Sequence, residues 1–328
     1  IRALDLQNAP ELLLLDCSDN HLKELELNST TKLEILRCST NEIKALDTSN
    51  LKNLEELNFS DNSGIEIPDF SATSRLTHLA CSSLALKTLN LKEVKNLKYL
   101  DCHNNKLSVL DLNSTTSLTW LDCKNNSLTS IELSSLTKLA GLDCRKNQLS
   151  SLVLNDSNKT LTWIDCSENK ITEVNLTSLE ELTWIQCEKN NIRTIRFPKF
   201  NKINEFLCSD NLLTELSLET ALELCELVCA NNKLKKLDVS KNTKLTHLDC
   251  QNNKIVSLDL ESSNNLSFLN CKKNRLEAVS LWETPKLKTI DITINPIESI
   301  DIRGVDKMSR LMIDPCVRVM HRSDQKFS

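Results

Sequence analysis

Thiols are the most conspicuous reactive groups in this 328-residue chain, which carries 14 cysteines. Twelve of them recur at steps of 21 residues, occasionally 22: Cys17, Cys38, Cys81, Cys102, Cys123, Cys144, Cys166, Cys187, Cys208, Cys229, Cys250 and Cys271, with Phe59 filling the one gap. Such a set raises disulfides, zinc and nucleophilic catalysis, and the spacing argues against each. Cysteines on neighbouring parallel strands hold their Cβ vectors side by side about 4.8 Å apart, outside the ~3.5–4.5 Å a bridge needs. Zinc requires four ligands converging tetrahedrally, which a single file does not provide. The remaining role is that of a small buried hydrophobe, so the twelve are expected to form an inward ladder. Cys225 and Cys316 lie outside it. His103 follows Cys102, but consecutive strand residues face opposite ways, so the two cannot form a dyad. Neither H-E-x-x-H nor G-x-S-x-G occurs. The chain is expected to be no enzyme and to require no metal or cofactor.

Recognition chemistry falls in a second column, three residues before each anchor. It reads Leu14, Ile35, Glu56, His78, Tyr99, Trp120, Gly141, Trp163, Trp184, Glu205, Glu226, His247, Phe268, Thr289, Arg310. Fifteen positions should collect about half an aromatic from the twelve in the chain, yet this column holds five. Clustered exposed aromatics anchor recognition surfaces. Gly141 sits mid-strand, where glycine is disfavoured, with Trp120 and Trp163 two rungs apart at ~9.6 Å. A slot between the two indoles, accepting a side chain or a sugar ring, is expected there. Immediately before the anchors stand Asp101, Asp122, Asp143 and Asp165; immediately after them, His103, Lys124 and Arg145. Stacked carboxylates suit calcium, but Asp16, Asp249 and Asp291 share the position elsewhere, which marks Asp as part of the repeat rather than a site. The basic column offsets the acidic one and offers hydrogen bonds to a ligand.

The elements that position these residues follow from the repeat L-x-x-L-x-C-x-x-N-x-L, as in Leu118–Thr–Trp–Leu121–Asp–Cys123–Lys–Asn–Asn126–Ser–Leu128. A second L-x-x-L-x-L half follows, such as Leu107, Leu110 and Leu112. Alternation in the L-x-L segments gives one short parallel strand per repeat, and stacking buries a core that no single repeat could bury. About fifteen repeats predict a sheet on the order of 70 Å long. The Asn three residues after the anchor recurs in thirteen of fifteen units, with Leu84 and Cys316 as exceptions, and reads as a partner for turn backbone groups. One leucine-rich-repeat domain is expected over 1–316, as a horseshoe or superhelix with its parallel sheet on the concave face. A short basic tail is expected over 317–328. Ile1, Leu4 and Leu6 match the second half of a unit, which places the first half upstream.

Composition narrows the function. Three glycines leave no phosphate-cradling loop. A net charge of −5 leaves no basic stripe for nucleic acid. The longest apolar run, Leu12 to Leu15, is far short of the ~20 residues of a membrane span.

With cysteine in place of an inward leucine, as in Leu245–Thr–His–Leu248–Asp–Cys250–Gln–Asn–Asn253–Lys–Ile255, the chain resembles bacterial leucine-rich-repeat proteins of the internalin J-like, cysteine-ladder subclass over nearly its whole length. That resemblance implies a secreted or surface-exposed adhesin or virulence-type protein that engages a host protein through its repeats. The binding face would comprise His78, Tyr99, Trp120, Gly141, Trp163, Trp184 and Phe268 with His103, Asp122, Lys124, Asp143 and Arg145. A glycan- or mucin-binding adhesin and an intracellular effector or scaffold are the alternatives.

Overall fold

The computed structural model describes residues 1–306 and 308–322. The chain divides into two compact units, Ile1–Leu161 and Thr162–Ser328. The first contains seven parallel three-residue strands: β1 Leu14–Asp16, β2 Ile35–Arg37, β3 Glu56–Asn58, β4 His78–Ala80, β5 Tyr99–Asp101, β6 Trp120–Asp122 and β7 Gly141–Asp143. Each pairs in register with the next. The second contains β8 Trp163–Asp165, β9 Glu173–Asn175, β10 Trp184–Gln186, β11 Thr194–Arg196, β12 Glu205–Leu207, β13 Glu226–Val228, β14 His247–Asp249, β15 Phe268–Asn270, β16 Thr289–Asp291, β17 Ser299–Asp301, β18 Arg310–Met312 and β19 Arg318–Met320. There β9 pairs with β11 and β17 with β19, and the other eight strands pair in sequence. Each unit is thus a parallel β-solenoid, with about fifteen turns in the two together. The one helical element among the described residues is the 3₁₀ turn Asp156–Asn158.

The sequence alternation dictates which side chains enter the coil. The middle residue of each strand and the anchor that follows point inward: Leu36, Leu57, Leu79, Leu100, Leu121 and Leu142 are buried with no exposed surface, as are eleven of the twelve ladder cysteines. All fourteen thiols are free. Each leucine taken from water contributes roughly 1.5–3 kcal/mol, so stacking one turn on the next drives the assembly. In two places the second half of the repeat also pairs as a strand, where the sequence pattern calls for one strand per repeat. Arg318–Met320, in the segment read as a basic tail, pairs with Ser299–Asp301 and continues the coil; residues 323–328 of that tail lie outside the described residues.

The asparagine column does the polar work at the turn. Asn41 donates through Nδ2 to the carbonyls of Cys17 at 3.0 Å, Cys38 at 3.2 Å and Ser39 at 3.1 Å, while its Oδ1 accepts from the Leu22 amide at 2.9 Å. Asn147 repeats the set on Cys123, Cys144, Arg145 and Leu128. One side chain therefore joins two successive turns. Where Leu84 replaces the asparagine, Asn105 of the next turn accepts from both the Leu84 and Leu86 amides, at 3.1 and 2.9 Å.

The turn also requires a left-handed residue two positions after the anchor. Thr40, Lys146, Glu168, Lys189 and Lys273 take φ values of 52–57°, and Ile294 takes 60°. L-residues adopt this conformation at a cost of roughly 1–2 kcal/mol each, and no glycine occupies the position in any described repeat. Ile294 is the extreme case, since it is β-branched. Its side chain is exposed and its amide donates to the Asp314 carboxylate at 2.7 Å.

Two outcomes follow. Ile294→Gly should raise the unfolding free energy by about 1 kcal/mol, measured by denaturant melts; a loss of stability would show that the turn stores no such strain. For the thiols, burial pushes Cys17 from the ordinary 9.0 up to about 11, and Cys38, Cys81 and Cys123 higher still. A proton held more tightly in the folded state gives stability that is intact below pH 9 and declines as the unfolded thiols ionise above it. A thiol reagent should find Cys225 and Cys316 in the native chain and all fourteen in guanidinium, and the thermal midpoint should fall progressively above pH 9.

Candidate functional site

The column three residues before each anchor supplies the first residue of every strand in the main sheets, on the face away from the cysteines. In the first unit it forms a continuous aromatic stack. Tyr99 and Trp120, on adjacent strands, lie with ring centroids 4.3 Å apart and planes within 1° of parallel. His78 stacks on Tyr99 at 5.9 Å and 26°, its Nδ1 2.9 Å from the Thr77 hydroxyl. In-register pairing sets the rung spacing near the thickness of two stacked rings, which lets rings on adjacent strands lie face to face. Gly141 begins β7 beside Trp120.

On the His78 side the face opens into a hollow lined by Glu56, Asn58, His78, Ala80, Tyr99 and Asp101. Ala80 stands where neighbouring strands carry Asn58 and Asp101, and its short side chain leaves the space. Glu56 is fixed by Arg37, which donates from Nε at 2.6 Å and from Nη2 at 3.1 Å. The two-pronged bond holds the carboxylate rigid at the rim.

Beside the stack the acidic and basic columns interleave. His103 Nδ1 lies 2.5 Å from an Asp101 oxygen and 3.9 Å from Asp122; Lys124 Nζ lies 2.7 Å from Asp122 and 3.8 Å from Asp143; Arg145 Nε lies 3.3 Å from Asp143. Asp122 and Asp143 are buried, and each carboxylate also accepts the amide two residues on, at 3.0 and 3.2 Å. Asp101, His103 and Asp122 bring ligand atoms within 4.8 Å of one another. The Lys124 ammonium already seated on Asp122 supplies the positive charge that a cation would. His103 turns to Asp101 while the Cys102 thiol is buried in the coil and pushed far up by desolvation, so the adjacent pair is held on opposite faces.

Burial, with the Asp101 and Asp122 carboxylates adding to it, pushes the Tyr99 phenol from 10.0 up to about 12. The ring is therefore a neutral hydrogen-bond donor at the mouth of the hollow.

In the second unit Trp163 and Trp184 meet edge to face, at 5.9 Å and 62°. Phe268 stacks on His247 at 4.1 Å and 4°. The sequence reading selected Phe268 and passed over His247, although both stand in the same column. The fourth tryptophan, Trp282, lies off this column, exposed, with the Arg303 guanidinium 5.9 Å from its ring. A Cβ at Gly304 would meet the Trp282 backbone at 2.4 Å, so that glycine is required for the close approach.

Residues 117–139 match the family model described as Leucine Rich Repeat. No curated protein sequence matches the chain. Among solved structures, the functional domain of InlJ from Listeria monocytogenes, described as including a cysteine ladder, is 27% identical with a TM-score of 0.68, over 92% of this chain and 67% of that one. A leucine-rich-repeat protein of Leptospira interrogans is 23% identical with a TM-score of 0.77, over 88% and 80%. The plant peptide hormone receptor RGFR1, solved in complex with RGF2, is 20% identical with a TM-score of 0.74, over 96% and 61%. The last two show the fold alone. The fold is the leucine-rich-repeat solenoid, and the inward cysteine ladder is shared with the InlJ domain.

Tyr99 is the chain's one tyrosine, so its ionisation can be read directly by ultraviolet absorbance. The folded protein at pH 10.5 should show almost no tyrosinate, while the guanidinium-unfolded chain should be more than half ionised. Equal ionisation in the two states would mean that the ring is not buried beside the carboxylates.

Proposed function

We propose that this leucine-rich-repeat chain is a non-catalytic module of a secreted or surface-exposed bacterial protein, and that it holds a host protein against the strand face bearing the aromatic columns. The Tyr99–Trp120 stack beside the Ala80 hollow carries the reading. Two rings stacked face to face form a rigid apolar block with little side-chain entropy left to lose, which is the property of an interface anchor. The surrounding polar groups are already fixed: Arg37 holds Glu56, and His103 and Lys124 hold Asp101 and Asp122. A partner meets a preorganised surface rather than one it must order.

Similarity to the InlJ domain supports a bacterial surface setting, and the RGFR1 complex shows a solenoid of this fold holding a peptide hormone. Burial of the ladder thiols suits an oxidising exterior, because a thiol without access to oxidant persists. Catalysis has no support in the site: burial drives the ladder thiols away from ionisation, and Glu56, Asp101, Asp122 and Asp143 beside the stack are occupied by bases.

The test compares binding to cultured epithelial cells of the unmodified chain, a Tyr99→Ala/Trp120→Ala variant and a Trp163→Ala/Trp184→Ala variant, at matched thermal stability. Loss of at least about tenfold in affinity for the first variant is expected, as for an aromatic hot spot. Unchanged binding by both variants would remove the aromatic columns from the interface. Competition by simple oligosaccharides would reassign the ligand from protein to glycan.

A further inference from the structure

In the second unit the strand-face column runs Trp184, Glu205, Glu226, His247, Phe268 on the adjacent strands β10, β12, β13, β14 and β15. Glu205 and Glu226 are directly paired across neighbouring strands. Like charges in that relation are destabilising. Elsewhere on these faces the fold removes such conflicts: Arg37 forks onto Glu56, Lys124 sits on Asp122 and Arg145 on Asp143. Among the described residues no basic group lies within ion-pair distance of Glu205 or Glu226. The next outward column makes their situation worse rather than better, because Leu207 and Val228 occupy the place that Asp fills in other turns. An apolar neighbour lowers the local dielectric and strengthens the repulsion.

Aromatic walls bound this acidic strip. Trp184, set edge to face with Trp163, stands on one side. On the other side is the His247–Phe268 stack. Trp184 and His247 are three rungs apart, about 14 Å, which is room for an extended segment crossing the strands. The strands that carry the two carboxylates lie roughly 4.8 Å apart, a spacing that a planar guanidinium can bridge, its five N–H donors serving both while its face lies on the adjacent indole. An ammonium is a point charge and cannot do both at once.

We propose that the Trp184–Glu205–Glu226–His247 strip is the docking site for an arginine side chain on an extended segment of the protein partner, the guanidinium bridging Glu205 and Glu226 and stacking on Trp184. The proposal rests on the protein-binding reading above and locates one contact of that partner. Charge complementarity selects the occupant: two unpaired carboxylates set between aromatic walls favour a planar cation over a neutral or anionic group.

The experiment uses the full chain and three capped tripeptides, Gly-Arg-Gly, Gly-Lys-Gly and Gly-citrulline-Gly, followed through the indole N–H resonance of Trp184. The arginine peptide should shift that resonance saturably, the lysine peptide more weakly, and the neutral citrulline isostere not at all. Glu205→Gln/Glu226→Gln should weaken arginine binding roughly tenfold or more while leaving the thermal midpoint equal or higher, since the repulsion is gone. Citrulline binding as well as arginine, an unchanged affinity in the double variant, no Trp184 shift up to the solubility limit, or a fall in thermal midpoint would each overturn the proposal. The Tyr99→Ala/Trp120→Ala variant should retain arginine-peptide binding even where cell binding is lost, so this site and the broader reading can fail separately.

Discussion

A solenoid turn folds the backbone back on itself inside an apolar coil, where carbonyls and amides have no water to bond. Left unpaired, each would cost on the order of 1–3 kcal/mol. The recurring asparagine resolves this with three donor contacts and one accepted amide, as Asn41 and Asn147 show. Two of those contacts reach the preceding turn, so the asparagine also fixes the stacking register. The rest depends on that register. Cysteines fall in file, leucines meet leucines, and the first residue of each strand lies beside its counterpart, which brings Tyr99 flat against Trp120.

Periodicity made most of this legible from the residues. The 21- or 22-residue steps between cysteines placed one strand in each repeat and the L-x-L alternation admits one inward face, but the strands of the second half-repeats, such as Glu173–Asn175, were not foreseen. The columns flanking each anchor were legible for the same reason. Conformation within a column was not. Nothing in the sequence distinguishes the face-to-face Tyr99–Trp120 pair from the edge-on Trp163–Trp184 pair, since ring rotation is decided by neighbours rather than spacing. Left-handed turn residues were equally hidden: the usual signal is glycine, and here Lys146, Glu168 and Ile294 take the position under constraint from the turn around them. Arg318–Met320 read as tail because basic, anchorless residues carry no repeat signature, yet backbone pairing with Ser299–Asp301 asks nothing of their side chains.

The faces of the two units differ in how charge is settled. Three successive turns each set a base beside an acid, His103 by Asp101, Lys124 by Asp122 and Arg145 by Asp143, so the basic column offsets the acidic one. Such a face has little net charge with which to steer a partner, and Tyr99 has its phenol pushed up by burial first and by its acidic neighbours second. In the second unit Glu188 is half-buried, and desolvation holds its carboxyl above the usual range while the Ser209 hydroxyl works against the shift. Among the described residues, no basic group pairs with Glu205 or Glu226. A repeat scaffold permits this division, because each turn answers chiefly to its neighbours and a local conflict need not spread.

Cysteine is a small, shape-filling residue only while the coil is closed. Opening a few turns would expose thiols that stand on adjacent rungs in the fold but are free to wander once released. In an oxidising medium any two that meet could join, and the bridge formed would not match the parallel, unbridged file of the native ladder. Refolding would then be blocked by a covalent bond rather than by an energy difference. The ladder thus makes unfolding outside a reducing compartment a one-way event, so the lifetime of the protein there is set by its rate of opening rather than by its equilibrium stability.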